Sequence, residues 1–350
     1  MAIQALPIEE FIELSNNNLV IDVRSPSEFN YAHFPQAYSI PLFDDEQRKV
    51  VGTAYKQISR QEAIKIGLDY FGIKMRSVVE QVEQLVQASN ASCVLVHCWR
   101  GGMRSQAVAW LLDLYGFKVF TLKGGYKAYR NWVLQQFQNK HKLLILSGFT
   151  GSGKTEILHE LSNLGHPTID LEHLSQHKGS AFGALGMPAQ PSNEQFENLI
   201  ALHLHQFKNS TLPIVLESEN PRIGNVLIPR HFFEQMKNAP CLRIVVPVDK
   251  RLEKIVSDYG QFETEDLKAS VQRISKRLGG LETKRVLNFL DENNIQAAFE
   301  LLIAYYDRNY LLHTPFQQPF GELELQTTNA HTNAQIISDF LNRSTCVKTK

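Results

Sequence analysis

The chain has 350 residues, 43% of them hydrophobic, enough for about two domains at roughly 150 residues each. Lys+Arg and Asp+Glu both number 36, so the formal charge is zero, which excludes a uniformly basic nucleic-acid-binding chain but leaves room for local basic patches. The four cysteines (Cys93, Cys98, Cys241, Cys346) contain no CxxC pair, so neither a disulfide framework nor a zinc set is expected. No apolar run approaches the roughly 18 residues of a membrane helix, and the N-terminus carries acids where a signal peptide carries bases. A cytoplasmic protein with no membrane partner is the expectation.

In chain order, Ile8 to Leu14 predicts a short helix and Leu19 to Val23 a buried strand. A helix follows near Ser25 to Asn30, and amphipathic helices are predicted over Gln61 to Phe71 and Ser77 to Ala88. Cys93 to His97 is a buried strand, Ser105 to Tyr115 a helix, and Val119 to Leu122 another strand. The alternation of strand and helix argues for a parallel α/β sheet over residues 1–138. Polar residues Gln135 to His141 mark a boundary, after which Leu143 to Ser147 opens a second α/β unit over 139–310. Its further strands are predicted at Thr168-Ile169, Pro213 to Leu216 and Leu242 to Val246, and Glu263 to Tyr306 is mostly helical. Residues 311–350 read as a partly ordered tail with a strand at Glu322 to Leu325, a helix at Asn333 to Leu341 and a frayed end.

Cys98 stands directly after one strand and before a helix, where open α/β sheets place their functional crevice. Gly101 and Gly102 let the loop turn its amides toward one centre, and Arg100 and Arg104 add positive charge nearby. Such surroundings favour a thiolate or a persulfide-type anion on sulfur, so Cys98, Arg100 and Arg104 are the candidate catalytic set. Cys93 and Cys241 belong to strands and read as core. Asp22 and Arg24 are expected to brace the loop as an ion pair.

The second site is Gly148-Phe149-Thr150-Gly151-Ser152-Gly153-Lys154-Thr155, a GxxxxGK[ST] run with a strand before it and a helix after it. Its glycines (Gly148, Gly151, Gly153) and Ser152 let successive amides face a phosphate, Lys154 neutralises charge, and Mg²⁺ is possible at the Thr155 hydroxyl. The usual strand-end Asp is replaced by Glu217; it and Asp170 could take a metal, act as a base or simply cap an element. No adenine-reading motif stands out, which leaves the phosphate ligand open.

Basic candidates for RNA contact are Arg273, Lys276 and Arg277, with Lys284 and Arg285 nearby, and Lys123, Lys127 and Arg130, where Tyr126 and Tyr129 could stack a base. His173 and His177 are four apart and could share a helix face, but no ligand set at metal spacing accompanies them, so no metal site is assigned.

Val20 to Phe29, His33 to Ala37 and the Cys98 to Arg104 loop resemble the entry motif and active-site loop of rhodanese domains. Two glycines usual in that entry motif are Ala32 and Gln36 here. The whole chain from about residue 8 to 310 resembles the bacterial tRNA 2-selenouridine synthases, a rhodanese domain fused to a P-loop domain. That resemblance rests also on Glu46 to Gln57, Leu122 to Arg130, Asp170 to Glu172, His177 to Gly183, Gln190 to Ser192, Glu217 to Asn220, Arg222 to Gly224 and Lys276 to Gly280. It implies an N-terminal rhodanese-like parallel sheet and a P-loop NTPase-like α/β domain with a helical C-terminal part. It further implies a transferase acting on tRNA that bears 2-thiouridine at the wobble position. The family geranylates that sulfur from geranyl diphosphate and exchanges it for selenium from selenophosphate, with no permanently bound cofactor. A tRNA sulfurtransferase, or an ATP-dependent small-molecule kinase with a vestigial rhodanese module, are the competing readings.

Overall fold

Runs such as Leu19-Val20-Ile21-Asp22 and Leu143 to Ser147, buried at every position, have no polar face to turn to water. Such segments suit parallel strands covered by helices on both sides. The computed structural model describes residues 3–313, 316 and 319–343, and the chain divides after Gln136 into two units. Among the described residues no helix is long and apolar enough to cross a membrane.

The first unit runs β1 (Gln4–Leu6), α1 (Ile8–Ser15), β2 (Leu19–Asp22), α2 (Pro26–Tyr31), β3 (Tyr38–Ser39) and α3 (Asp45–Gln57). It continues with α4 (Arg60–Ser89), β4 (Val94–His97), α5 (Met103–Tyr115), β5 (Val119–Leu122) and α6 (Gly125–Gln136). The sheet is parallel, in the order β1-β5-β4-β2-β3. The chain thus leaves β2 toward one edge and β4 toward the other, so the crevice between their carboxyl ends is the switch point where α/β sheets bind ligands. Asp22 and Cys98 stand there.

Two helices expected over 61–88 are one helix, α4, begun by Ser59, whose hydroxyl accepts from the Glu62 amide at 3.0 Å. Gly72 weakens it by about 1 kcal/mol, but no proline stops it, and Val78, Val79 and Val82 bury against the sheet. Strand β1 went unpredicted because three residues before Pro7 carry no periodicity.

The second unit runs β6 (Leu143–Ser147), α7 (Lys154–Asn163), β7 (Thr168–Ile169), α8 (Leu171–Ser175), α9 (Asn193–Gln206) and β8 (Ile214–Glu217). A hairpin of β9 (Arg222–Ile223) and β10 (Val226–Leu227) precedes α10 (Arg230–Lys237) and β11 (Cys241–Val245). Four helices follow, α11 (Val248–Tyr259), α12 (Thr264–Leu278), α13 (Gly280–Asp291) and α14 (Ile295–His313), then β12 (Pro319–Glu324) and α15 (Ala330–Arg343). The parallel sheet order is β12-β11-β6-β8-β7, with the switch point at the end of β6. The α/β fold class is as expected for both units.

The segment with the weakest signal in the sequence proves structural. Strand β12 completes the edge beside β11, and Ala334, Ile337 and Leu341 of α15 enter the same core as Ile157, Leu158 and Leu161 of α7. A second core, with Leu267, Val271, Val286 and Leu302, holds α11 to α14 together. The expected frayed end and Cys346 lie outside the described residues.

Candidate active sites

Cys98 is 3% exposed and sits at the turn from β4 to α5. Its Sγ lies 3.2 Å from Ser105 Oγ, which donates to Gly102 O at 3.1 Å. The first amides of α6 close the loop from outside: Tyr126 N–H donates to Cys98 O at 2.8 Å and Lys127 N–H to Trp99 O at 3.0 Å. That packing requires glycine at two facing positions. Gly101 has φ +64° and Gly125 φ +61°, and a Cβ on Gly125 would stand 2.3 Å from Gly101 N and 2.4 Å from Cys98 O. Cys241 is buried in β11 and Cys93 just before β4, and burial pushes both thiols up, as core cysteines.

Beneath the loop lies a buried ion pair. Arg24 Nη2 donates to Asp22 Oδ2 at 2.6 Å and Nε donates to both oxygens, at 3.0 and 2.9 Å; Nη2 also reaches Ala32 O at 2.7 Å. The guanidinium lies 3.8 Å from the Tyr126 ring centroid and 6.0 Å from that of Trp99, so the pair is tied to the loop through aromatic faces. Burial alone would raise Asp22; His97 and Arg24 outweigh it and hold the carboxyl below its ordinary value. Burial drives His97 toward neutral imidazole, which leaves Arg24 as the lasting positive charge.

Two expectations are corrected here. Tyr126 and Tyr129 are both 0% exposed, packed against Phe34, Trp99 and Trp132, so neither offers a face to an RNA base. Lys123 and Lys127 do lie on the surface of this unit. Arg104 does not stand free beside the thiol: its Nη1 donates to Glu28 Oε2 at 2.9 Å, and Arg48 Nε donates to the same oxygen at 2.8 Å. Burial raises Glu28, but these two arginines and the Ser25 amide hold it below its ordinary value. Glu28 and Arg48, unremarked as site residues in the sequence, thereby join α2, α3 and the cysteine-loop helix; Arg100 remains exposed on the loop.

In the second unit the GxxxxGK[ST] run wraps the start of α7, with Gly151 at φ +82° and Gly153 at φ +76°. Lys154 Nζ donates to Gly148 O at 3.0 Å and Thr155 Oγ1 to Glu172 Oε2 at 2.9 Å. The loop is held from behind by Arg251, which donates to Thr150 O at 3.1 Å and forms a two-pronged pair with Asp307 at 2.9 and 2.7 Å. A cleft of ≈ 1200 Å³ opens from this cradle. Its lining includes the cations Lys154, Lys178, Arg222, Lys254 and Arg277 and the aromatic rings of Tyr259, Tyr305, Tyr306, Tyr310 and Phe316, with Lys178 Nζ 5.5 Å from the Tyr259 ring centroid. Neither Lys178, Lys254 nor the tyrosine wall was singled out from sequence, because their common surface exists only after α11, α12 and α14 pack.

Of the two strand-end acids, Asp170 takes the capping alternative and Glu217 turns away from the cleft. Asp170 accepts the His173 amide at 2.7 Å as the cap of α8 and holds His159 Nε2 at 2.7 Å. Glu217 is 0% exposed, accepts the Glu172 amide at 2.8 Å and does not line the cleft. Asp170 lines the cleft, and so do two carboxyls not singled out in the sequence, Glu172 and Glu219, which pair with each other near Lys154. Burial pushes Glu172 up, and burial with mutual repulsion pushes Glu217 and Glu219 well above the usual carboxylate range. Among the described residues no three His, Cys, Asp or Glu side chains are grouped to hold a metal ion, so the Mg²⁺ expectation gains no donor set. His173 and His177 do not share a helix face, since α8 ends at Ser175 and Gln176 is left-handed at φ +53°.

The matched segments around His177, Gln190 and Arg222 converge on this cleft. Gln190 Nε2 donates to Ser175 O at 2.9 Å and Ile223 O at 3.1 Å, and its Oε1 accepts from Asn225 N at 2.7 Å. Of the basic helix α12, Arg277 lines the cleft, Arg273 Nη1 donates to Ala181 O at 3.1 Å, and Lys276 is exposed. Arg285 is engaged by Glu282 at 3.1 Å.

Residues 8–131 match the rhodanese-like domain model, and residues 141–320 match the model of the tRNA 2-selenouridine synthase AAA domain. A tRNA 2-selenouridine synthase of Sulfurovum sp. is 34% identical over 93% of this chain and 95% of its own length. Those of Hydrogenovibrio crunogenus (34%, covering 95% and 97%) and Nitrosomonas europaea (33%, covering 83% and 88%) are similar along nearly their whole lengths. A cysteine at the switch point of a rhodanese-like sheet and a phosphate cradle at that of a second sheet are what such a two-part match requires. The chain belongs to the tRNA 2-selenouridine synthase family.

Proposed function

We propose that this protein modifies the wobble 2-thiouridine of tRNA in two stages, S-geranylation from geranyl diphosphate and then exchange of the sulfur for selenium supplied by selenophosphate. The observation that carries this reading is the composition of the second cleft. A diphosphate cradle with Lys154 and an aromatic wall of Tyr259, Tyr305, Tyr306, Tyr310 and Phe316 line the same ≈ 1200 Å³. A prenyl diphosphate has just these two halves, an anion and an apolar chain. Alkylation turns the thiocarbonyl sulfur into a leaving group, and the cradle stabilises the diphosphate released. The selenium of selenophosphate, received beside Cys98 and the exposed Arg100, then attacks C2 and expels the geranyl thiolate, and its phosphoryl group passes to water as phosphate; Arg104 supports the loop through Glu28.

Nucleoside mass spectrometry of 2-thiouridine tRNA tests both stages. Geranyl diphosphate alone should yield the geranylated nucleoside, and geranyl diphosphate with selenophosphate should yield 2-selenouridine. Lys154→Ala should slow geranyl transfer by about 100-fold or more. Unchanged geranyl transfer in that variant, with only ATP turnover lost, would return the cradle to a nucleotide.

A further inference from the structure

An anion and the chain attached to it are recognised together only if the phosphate cradle and the aromatic lining of the cleft keep a fixed spacing. The cradle follows β6, whereas Tyr305, Tyr306 and Tyr310 stand on α14, far along the chain. Resting on the geranylation reading above, we propose that Arg251 and Asp307 form a positioning pair that fixes this spacing, so that diphosphate and prenyl chain are bound as one unit.

Arg251, in the first turn of α11, is 4% exposed, and its guanidinium reaches in two directions. Toward the cradle, Nη1 donates to Thr150 O at 3.1 Å; toward α14, Nη1 and Nη2 donate to the Asp307 carboxylate at 2.9 and 2.7 Å. Nε donates to Val246 O at 3.2 Å, so the fork cannot swing from either partner without losing a further backbone bond. Rings close the circuit. The guanidinium carbon lies 5.0 Å from the Phe149 ring centroid, and the Phe149 ring lies 5.2 Å from that of Tyr310. Tyr310 stands three residues after Asp307, on the same side of α14, and lines the cleft with Tyr306. The backbone of α11 also bears on the loop, since a Cβ on Gly151 would be 2.9 Å from Arg251 O and 2.7 Å from Ile255 Cδ1.

Apolar packing alone does not set such a spacing. Ile255, Ala298 and Leu302 belong to the core that joins α11 to α14, but contacts of this kind are non-directional and tolerate small slips along a helix axis. A planar guanidinium in two-pronged contact with a carboxylate fixes both distance and angle. As a source of stability a buried pair is a poor choice, because apolar residues of similar volume commonly serve as well. Its use here is register: it sets where Tyr306 and Tyr310 stand relative to the amides of the cradle.

The test is calorimetry on the full chain with inorganic diphosphate and with geranyl diphosphate. It compares wild type, Asp307→Asn, Asp307→Glu and the apolar double variant Arg251→Met with Asp307→Leu. Wild type should bind geranyl diphosphate more tightly than inorganic diphosphate, and the ratio of the two affinities gives the chain's share. In Asp307→Asn that ratio should fall about 10-fold while diphosphate affinity stays within about 2-fold, because Arg251 still holds Thr150 O. Asp307→Glu, which keeps the charge, should recover part of the ratio. The double variant leaves no buried charge unpaired, so it keeps the comparison available if Asp307→Asn unfolds, and its ratio should fall as well. A pair that only stabilises the fold would shift both affinities together, or the unfolding temperature alone, and leave the ratio at its wild-type value; that result overturns the positioning role. A wild type with equal affinity for the two ligands overturns the parent reading, in which the cleft takes a prenyl chain.

Discussion

At Cys98 the protein works with backbone: a five-residue turn is shut by two amides of α6, two glycines meet face to face, and the charges below are already paired. At Lys154 it works with side chains: a wide cleft is lined by five lysine and arginine residues, the Glu172–Glu219 carboxyl pair and four tyrosines. Both stand at the carboxyl ends of strands beside a switch point, so topology located them equally well. What differs is the cargo that each would suit under the proposed function. A single sulfur-bound atom needs a small enclosed nest, whereas an anion with an apolar chain needs volume and two kinds of wall. The same placement therefore presents two different environments, decided by what the flanking helices contribute.

The sharpest way to break this comparison is Cys98→Ala. It should abolish selenium incorporation and leave geranylation largely intact, as read by nucleoside mass spectrometry; equal loss of both products would mean the two sites are not separable. Gly125→Ala comes next. A Cβ at φ +61° would collide with Gly101 N and Cys98 O, so the loop must shift at a cost of about 2 kcal/mol or more. Selenium incorporation should fall steeply while diphosphate affinity stays constant, and hydrogen exchange should rise in residues of the cysteine loop only.

Acidity separates the two regions in opposite directions. Asp22 has a lowered folded pKa, so its contribution is complete above the unfolded value of about 3.9 and is lost as pH falls through the folded value. Glu217 has a raised folded pKa: the folded chain keeps a proton that the unfolded chain releases above about 4.3, so stability drops as pH rises from there toward the folded value. Asp22→Asn should destabilise the first unit by about 3–5 kcal/mol at neutral pH, because Arg24 is left buried without its counter-charge. Glu217→Gln should stabilise the second unit at neutral pH and flatten its pH dependence. Hydrogen exchange from pH 4 to 8, read separately in each unit, checks both signs.

The smallest expected effect is on RNA affinity. Lys127→Ala with Arg130→Ala should weaken tRNA binding several-fold and reduce the slope of log affinity against log salt by about 0.7 to 0.9 for each phosphate that is no longer neutralised. Identical salt slopes would take this surface out of the RNA path.

Much of this architecture could be read from the chain before any coordinates. Strands such as Val94 to His97 are legible because a run buried on both faces must be apolar throughout, and the GxxxxGK[ST] run because successive amides can turn toward a phosphate only where glycine permits left-handed backbone. The edge strand β12 was faint because an edge needs less apolar pattern, and α4 looked like two helices because Gly72 interrupts its apolar pattern without breaking its hydrogen bonds.

Local pattern determined the fold class, the position of Cys98 and the position of the cradle, since each depends on neighbours in sequence. Only the tertiary structure decided which distant side chains meet. It buried Tyr126 against Arg24, gave Arg104 to Glu28, replaced Glu217 by Glu172 and Glu219 at the cleft, and drew the tyrosine wall from helices far apart in the chain. Exposure and electrostatic partnership are properties of packed surfaces, and no spacing along one segment encodes them.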